Sequence, residues 1–195
     1  MKNGTTNILL AGVGGQGVLL ASEILTEVAK SSGMDAKKSE VHGMSQRGGV
    51  VTSHVRFGEK VFSPLIPEGE VDALLALEIA EGLRWMHEIA EDGRVVVNDQ
   101  KIIPTIVYSG GGFEYPESPE KRILEKNPDA IIVNAFEIAR ELGNVRLVNT
   151  IMLGTLSQSL EIDEKTWLDV IERMAPKGTG ELNRKAFGKG RNYSA

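Results

Sequence analysis

A three-layer α/β/α domain on a mainly parallel sheet is the fold class this sequence predicts, and three observations carry it. Strand-like apolar runs alternate with helical patterns along most of the chain, the pattern of helices crossing over between parallel strands. A glycine-rich turn, Gly12-Val13-Gly14-Gly15-Gln16-Gly17, joins the first such run, Asn7-Ile8-Leu9-Leu10-Ala11, to the first helix. Residues 50–57 alternate instead with period two, which adds at least one antiparallel strand or hairpin.

Each element has its own local signal. In residues 18–30, Glu23, Glu27 and Lys30 form one polar stripe, leaving Val18, Leu20, Ala21, Ile24, Leu25 and Val28 as a wide apolar face, so this helix is expected to be mostly buried. Residues 33–41 hold only Met34, Ala36 and Val41 as apolar side chains, too few for a central parallel strand buried on both faces. In residues 50–57, Val51, Ser53, Val55 and Phe57 share one face and Thr52, His54 and Arg56 the other. Gly58-Glu59 then reads as a turn, with residues 60–63 returning as the second arm of a hairpin.

Further on, residues 71–77 form an apolar run broken only by Asp72, and residues 79–89 follow as a helix. Residues 93–98 and 130–133 read as buried strands, with the glycine-rich stretch 109–116 between them as a surface connection or a flexible flap. Helical patterns close the chain at 136–142, 148–160 and 163–174. In the last of these Asp163 is the expected N-cap, and Trp167, Val170, Ile171 and Met174 make one apolar face, read as core. Beyond Pro176, the cations Lys177, Arg184, Lys185, Lys189 and Arg191 are set against the single acid Glu181, a local positive balance that suits a solvated surface, an acidic partner or an anionic cofactor. The architecture is Rossmann-like, and the chain reads as one domain over residues 1–195.

Composition narrows the function. Hydrophobic content of 41% and charged content of 25% are those of an ordinary globular protein, and no apolar run reaches the ~18 residues of a membrane span. The first residues lead into the first strand rather than into a signal peptide, so the expected location is cytoplasmic. A net charge of −5 and a pI near 5.3 argue against a general nucleic-acid binder. With no cysteine, the polypeptide has no disulfide, no thiolate nucleophile and no means of holding a cysteine-ligated iron–sulfur cluster. His42, His54 and His87 show no metal-ligand spacing, so no metal site and no catalytic residue are assigned.

Two segments are candidates for contact with a cofactor or a partner chain. Gly12, Gly14, Gly15, Gln16 and Gly17 sit at a strand-to-helix turn, where glycine permits close backbone approach and free N–H groups can meet an anion or another backbone. A dinucleotide site would also need an acid at the end of the second strand to hold the ribose. Asp35 follows Gly17 at close to the expected ~20 positions but at the strand's start, and Glu40 is at the better end but farther on. The second segment carries Glu40, His42, Ser45, Gln46, Arg47, Gly48 and Gly49. There the Arg47 guanidinium stands beside two residues without side chains, free to grip a carboxylate or phosphate with its planar fork, or to tie the segment to a partner.

The ordered set of these segments, with Val55-Arg56-Phe57-Gly58, Pro67-Glu68-Gly69 and Asn183-Arg184-Lys185-Ala186-Phe187 followed by Gly190, resembles the gamma-type subunit of 2-oxoacid:ferredoxin oxidoreductases. His42-Gly43-Met44-Ser45-Gln46-Arg47 is most similar to the beta subunit of the indolepyruvate type. The resemblance implies a small subunit of a heteromeric enzyme that decarboxylates a 2-oxoacid on thiamine diphosphate. Electrons pass through [4Fe-4S] clusters to ferredoxin, and the acyl group goes to coenzyme A. It further implies that a large alpha subunit carries the thiamine diphosphate and the clusters, so the isolated chain is expected to be inactive. Two other readings stay open: a free-standing NAD(P)-dependent reductase, and a non-catalytic scaffold that only stabilises its partner.

Overall fold

The computed structural model describes residues 4–42, 49–103 and 114–194. Its six strands are β1 (Thr5–Val13), β2 (Asp35–His42), β3 (Val50–Gly58), β4 (Val71–Ala76), β5 (Ile89–Asn98) and β6 (Ile131–Val133). They form one sheet in the order β2-β3-β1-β4-β5-β6. The pairings β1–β4, β4–β5 and β5–β6 are parallel, and β3 runs antiparallel to both neighbours, so among the described residues β3 is the single reversed strand. The expected fold class is the one observed.

The helices are α1 (Val18–Ser31), α2 (Ile79–Arg84), α3 (Pro119–Lys126), α4 (Ala135–Glu141), α5 (Val148–Leu156), α6 (Glu164–Met174) and α7 (Gly180–Arg191). Period-two alternation in the central strands divides the core between two faces. Ile8, Leu10, Leu75, Leu77 and Val96 point to a layer made by α1, α4, α5, α6 and α7. Leu9, Ala11, Leu74, Ala76, Val95 and Val97 point to the other, covered by α2, α3 and the turn of 3₁₀ helix Trp85–Glu88. Trp167, read as core, is fully buried and stacks on Phe187 with ring centroids 5.6 Å apart. Burying such side chains stabilises the fold by about 1.5–3 kcal/mol each.

Several expectations need correction. Residues 60–63 are not a returning strand, because β3 spends one edge on β1 and the other on β2 and has none left for a hairpin. That stretch lies along the sheet: Arg56 Nη1 donates to the carbonyls of Ser63 and Leu65, and Ile66 N–H donates to His54 Nδ1. The helix expected over 79–89 stops at Arg84, continues as 3₁₀ to Glu88 and gives way to β5 at Ile89, earlier than Gly93. Leu20 is 45% exposed rather than buried. Asp163 occupies the N-cap position of α6 without a capping side-chain hydrogen bond. The basic stretch after Pro176 is helix α7, with Arg184 paired to Glu172, Lys185 to Glu181 and Arg191 to Glu164. Its Ala186, Phe187 and Gly190 are buried against α5. The glycine-rich stretch 109–116 falls mostly outside the described residues.

Candidate functional site

Crossovers leave β1 towards the α1 face and β4 towards the α2 face, which puts the switch in winding between β1 and β4. In open α/β sheets the crevice beyond the carboxyl ends of such strands is where ligands bind. Here that crevice is built from the glycine turn, the Leu77-Glu78 link after β4, and Asn98 to Gln100 after β5.

A set of side-chain amides fills it. Val13 N–H donates to Gln16 Oε1 at 2.8 Å, while Gln16 Nε2 donates to Leu77 O at 2.7 Å and to Gln100 Oε1 at 3.1 Å. Asn98 Nδ2 donates to the same two acceptors, and its Oδ1 receives Ala135 N–H at the start of α4. From α5, Asn149 Nδ2 donates to the carbonyls of Gln16 and Gly17 at 2.9 and 3.1 Å. Gln16 therefore spans the crevice from β1 to β4, and the turn is held from beneath by its own chain.

The glycines divide by task. Gly15 and Gly17 have φ of 102° and 81°, in the left-handed region that favours glycine. A Cβ on Gly17 would strike the Asn149 amide, one on Gly12 would press on Gln16, Val18 and Leu77, and one on Gly15 would meet open space. Gly14 lies outside the left-handed set; its N–H donates to Gly49 O at 2.8 Å, so the two candidate segments meet backbone to backbone. Backbone strain in this turn thus belongs to Gly15 and Gly17.

Beside this network Glu78, 1% exposed, gathers three donors on one carboxylate: Glu81 N–H at the start of α2, Ile102 N–H, and the Tyr115 hydroxyl. Burial and the bond to Glu78 push the Tyr115 phenol far above its usual range. Burial also raises the Glu81 carboxyl, opposed by Arg84. The sequence pattern assigns Asn98 to a strand and Tyr115 to a loop and gives none of Glu78, Asn98, Gln100, Tyr115 and Asn149 a role in the site. The available signal was polar residues placed just after apolar strands, at the carboxyl ends where a parallel sheet builds its sites.

The remaining candidates are dispersed. Glu40 faces the α1 side of β2, where Lys38 pairs with it at 2.6 Å, and Asp35 Oδ2 accepts Val61 N–H at the opposite end of the strand. Ser45, Gln46, Arg47, Gly48 and the side chain of His42 lie outside the described residues. A nicotinamide site is disfavoured by topology, since β3 stands between β1 and β2 and so leaves Asp35 and Glu40, both on β2, one strand too far from the glycine turn. Among the described residues no cluster of three or more His, Asp or Glu side chains could hold a metal ion, and no helix is long and apolar enough to cross a membrane.

The sequence matches the pyruvate ferredoxin/flavodoxin oxidoreductase family over residues 7–193. The chain belongs to this family. It is 37% identical to "Indolepyruvate oxidoreductase subunit IorB" of Thermococcus kodakarensis over 93% of this chain and 92% of that one. With the subunit of the same name from Archaeoglobus fulgidus the identity is 39%, over 96% and 94%. Among solved structures, pyruvate oxidoreductase subunit PORC from Thermotoga maritima shares the fold at a TM-score of 0.72 and 21% identity, covering 96% of both chains. The 2-oxoglutarate:ferredoxin oxidoreductase from Magnetococcus marinus does so at 0.70 and 20% identity, where this chain spans 31% of the longer one.

Proposed function

We propose that this chain is the small subunit of an indolepyruvate-type 2-oxoacid:ferredoxin oxidoreductase, and that its glycine turn and the Glu40 to Gly49 segment face the joint active-site region as a docking edge. The observation that carries the second part is an apolar rim around a turn already satisfied by its own chain. Leu19 and Leu20 on the first turn of α1 are 37% and 45% exposed, and Ile103, in the stretch after β5, and Phe136, on the first turn of α4 after β6, are exposed as well. Exposed apolar side chains grouped around a preorganised polar network suit contact with a protein better than a solvated nucleotide.

Composition is compatible with a division of labour: a chain without cysteine cannot ligate a [4Fe-4S] cluster. The resemblance to the family assigns the clusters and thiamine diphosphate to a large alpha subunit. Coenzyme A is then a co-substrate of the assembly and ferredoxin its electron acceptor. This chain's residues shape and close the joint site: Gln16, Asn98, Gln100 and Asn149 hold the turn rigid, and the Arg47 guanidinium is the group suited to a carboxylate or phosphate at the edge. The scaffold reading differs only in giving Arg47 no ligand.

Leu20→Glu tests the docking edge. The side chain is exposed, so the melting temperature of the lone subunit should stay unchanged, while affinity for the large subunit falls at least tenfold. Unchanged affinity would remove this edge from the interface.

A further inference from the structure

The outer edge of β2 closes the sheet on one side, and among the described residues no strand pairs with it. It is eight residues long, with neither proline nor glycine to interrupt it. Edge strands are commonly protected by charged side chains, lysine above all. On β2 both lysines are paired with acids, so the edge presents balanced rather than one-signed charge. Lys37 pairs with Asp35, and Lys38 pairs with Glu40 and Glu23.

We propose that this edge joins a second copy of the chain, β2 against β2 in antiparallel register centred on Ser39, continuing the sheet across a two-fold axis. A two-fold axis perpendicular to a sheet keeps each side chain on its own face, so the axis must pass at a residue and not between two. Centring on Lys37, Lys38 or Glu40 sets a charge opposite itself, which destabilises strand pairing. Centring on Ser39 sets the hydroxyls opposite each other and places Lys38 opposite Glu40 of the second copy, twice by symmetry. It also lays the aliphatic stem of Lys37 over Val41 of the second copy, a residue that is 53% exposed in the single chain. Register, charge and the exposed valine select the same pairing.

The absence of cysteine makes the test clean. Directly opposed residues in an antiparallel pair have Cα atoms about 4.5–5.5 Å apart, within disulfide reach. The full-length Ser39→Cys chain should therefore convert largely to a covalent dimer under mild oxidation. Lys37→Cys places its two sulfurs four residues out of register, about 13 Å apart, and should crosslink at least tenfold more slowly. Glu40→Lys should weaken dimerisation at least tenfold in sedimentation equilibrium, and adding Lys38→Glu should restore it. A monomer at tens of micromolar, equal crosslinking at positions 37 and 39, or no rescue by the charge swap would overturn the pairing.

Discussion

Replacing Gly17 with alanine should destabilise the lone subunit more than its small size suggests. Gly17 caps α1 from the left-handed region, at φ 81° and ψ 30°, which costs an L-residue about 1–2 kcal/mol. Its new methyl also enters the space of the Asn149 amide, which donates to the carbonyls of Gln16 and Gly17. Losing one of those bonds adds about 0.5–1.5 kcal/mol. The expected total is about 2–3 kcal/mol from urea unfolding. Gly15→Ala, whose Cβ meets nothing, isolates the conformational cost alone. In an Asn149→Gly background the clash disappears, so the double-mutant cycle should show a coupling of about 1 kcal/mol. A Gly17→Ala loss under 0.5 kcal/mol, or strict additivity with Asn149→Gly, would refute the argument that α5 locks the turn.

Other consequences are equally direct. Gly190 of α7 packs on the Ile151 carbonyl, backbone that cannot swing aside, so Gly190→Ala should cost about 3 kcal/mol, the upper end of overpacking, measured by thermal or urea unfolding. Burial lowers the His54 pKa, and its Nδ1 must stay unprotonated to accept from Ile66 N–H. The unfolded chain therefore takes up the proton first as pH falls below about 6.5, and stability declines there; in His54→Asn the decline between pH 7 and 5.5 should be smaller. Arg47→Lys keeps the charge and loses the planar fork, so reconstituted activity should fall by about 1–3 kcal/mol of transition-state or interface stabilisation while the melting temperature stays put. Wild-type activity and assembly would remove Arg47 from the site.

What could be read in advance was local. The first strand, the glycine turn and α1 are set by adjacent residues, and their bounds agree closely with β1 and α1. The scarcity of apolar residues in 33–41 correctly argued against a central parallel strand, because β2 is an edge strand with one face on α1. The partners of β3 were not legible, since β1 lies about 45 residues upstream and no local pattern announces a strand inserted between β1 and β2. Helix α7 was hidden by residues of low helix propensity, Asn183, Gly188 and Gly190; packing on α5 is what stabilises it. At the site the turn's glycines were visible, but the amides that lock it come from β5, the stretch after it and α5, brought together only by the fold.

The central claim is that this chain works only as part of a larger oxidoreductase, and anaerobic reconstitution tests it most directly. The purified subunit should be colourless and show no 2-oxoacid-dependent dye reduction. Adding the large subunit, to which we assign the thiamine diphosphate and the clusters, should produce indolepyruvate-dependent ferredoxin reduction that requires both chains. Turnover by the lone chain, or full activity of the large subunit without it, would contradict the account.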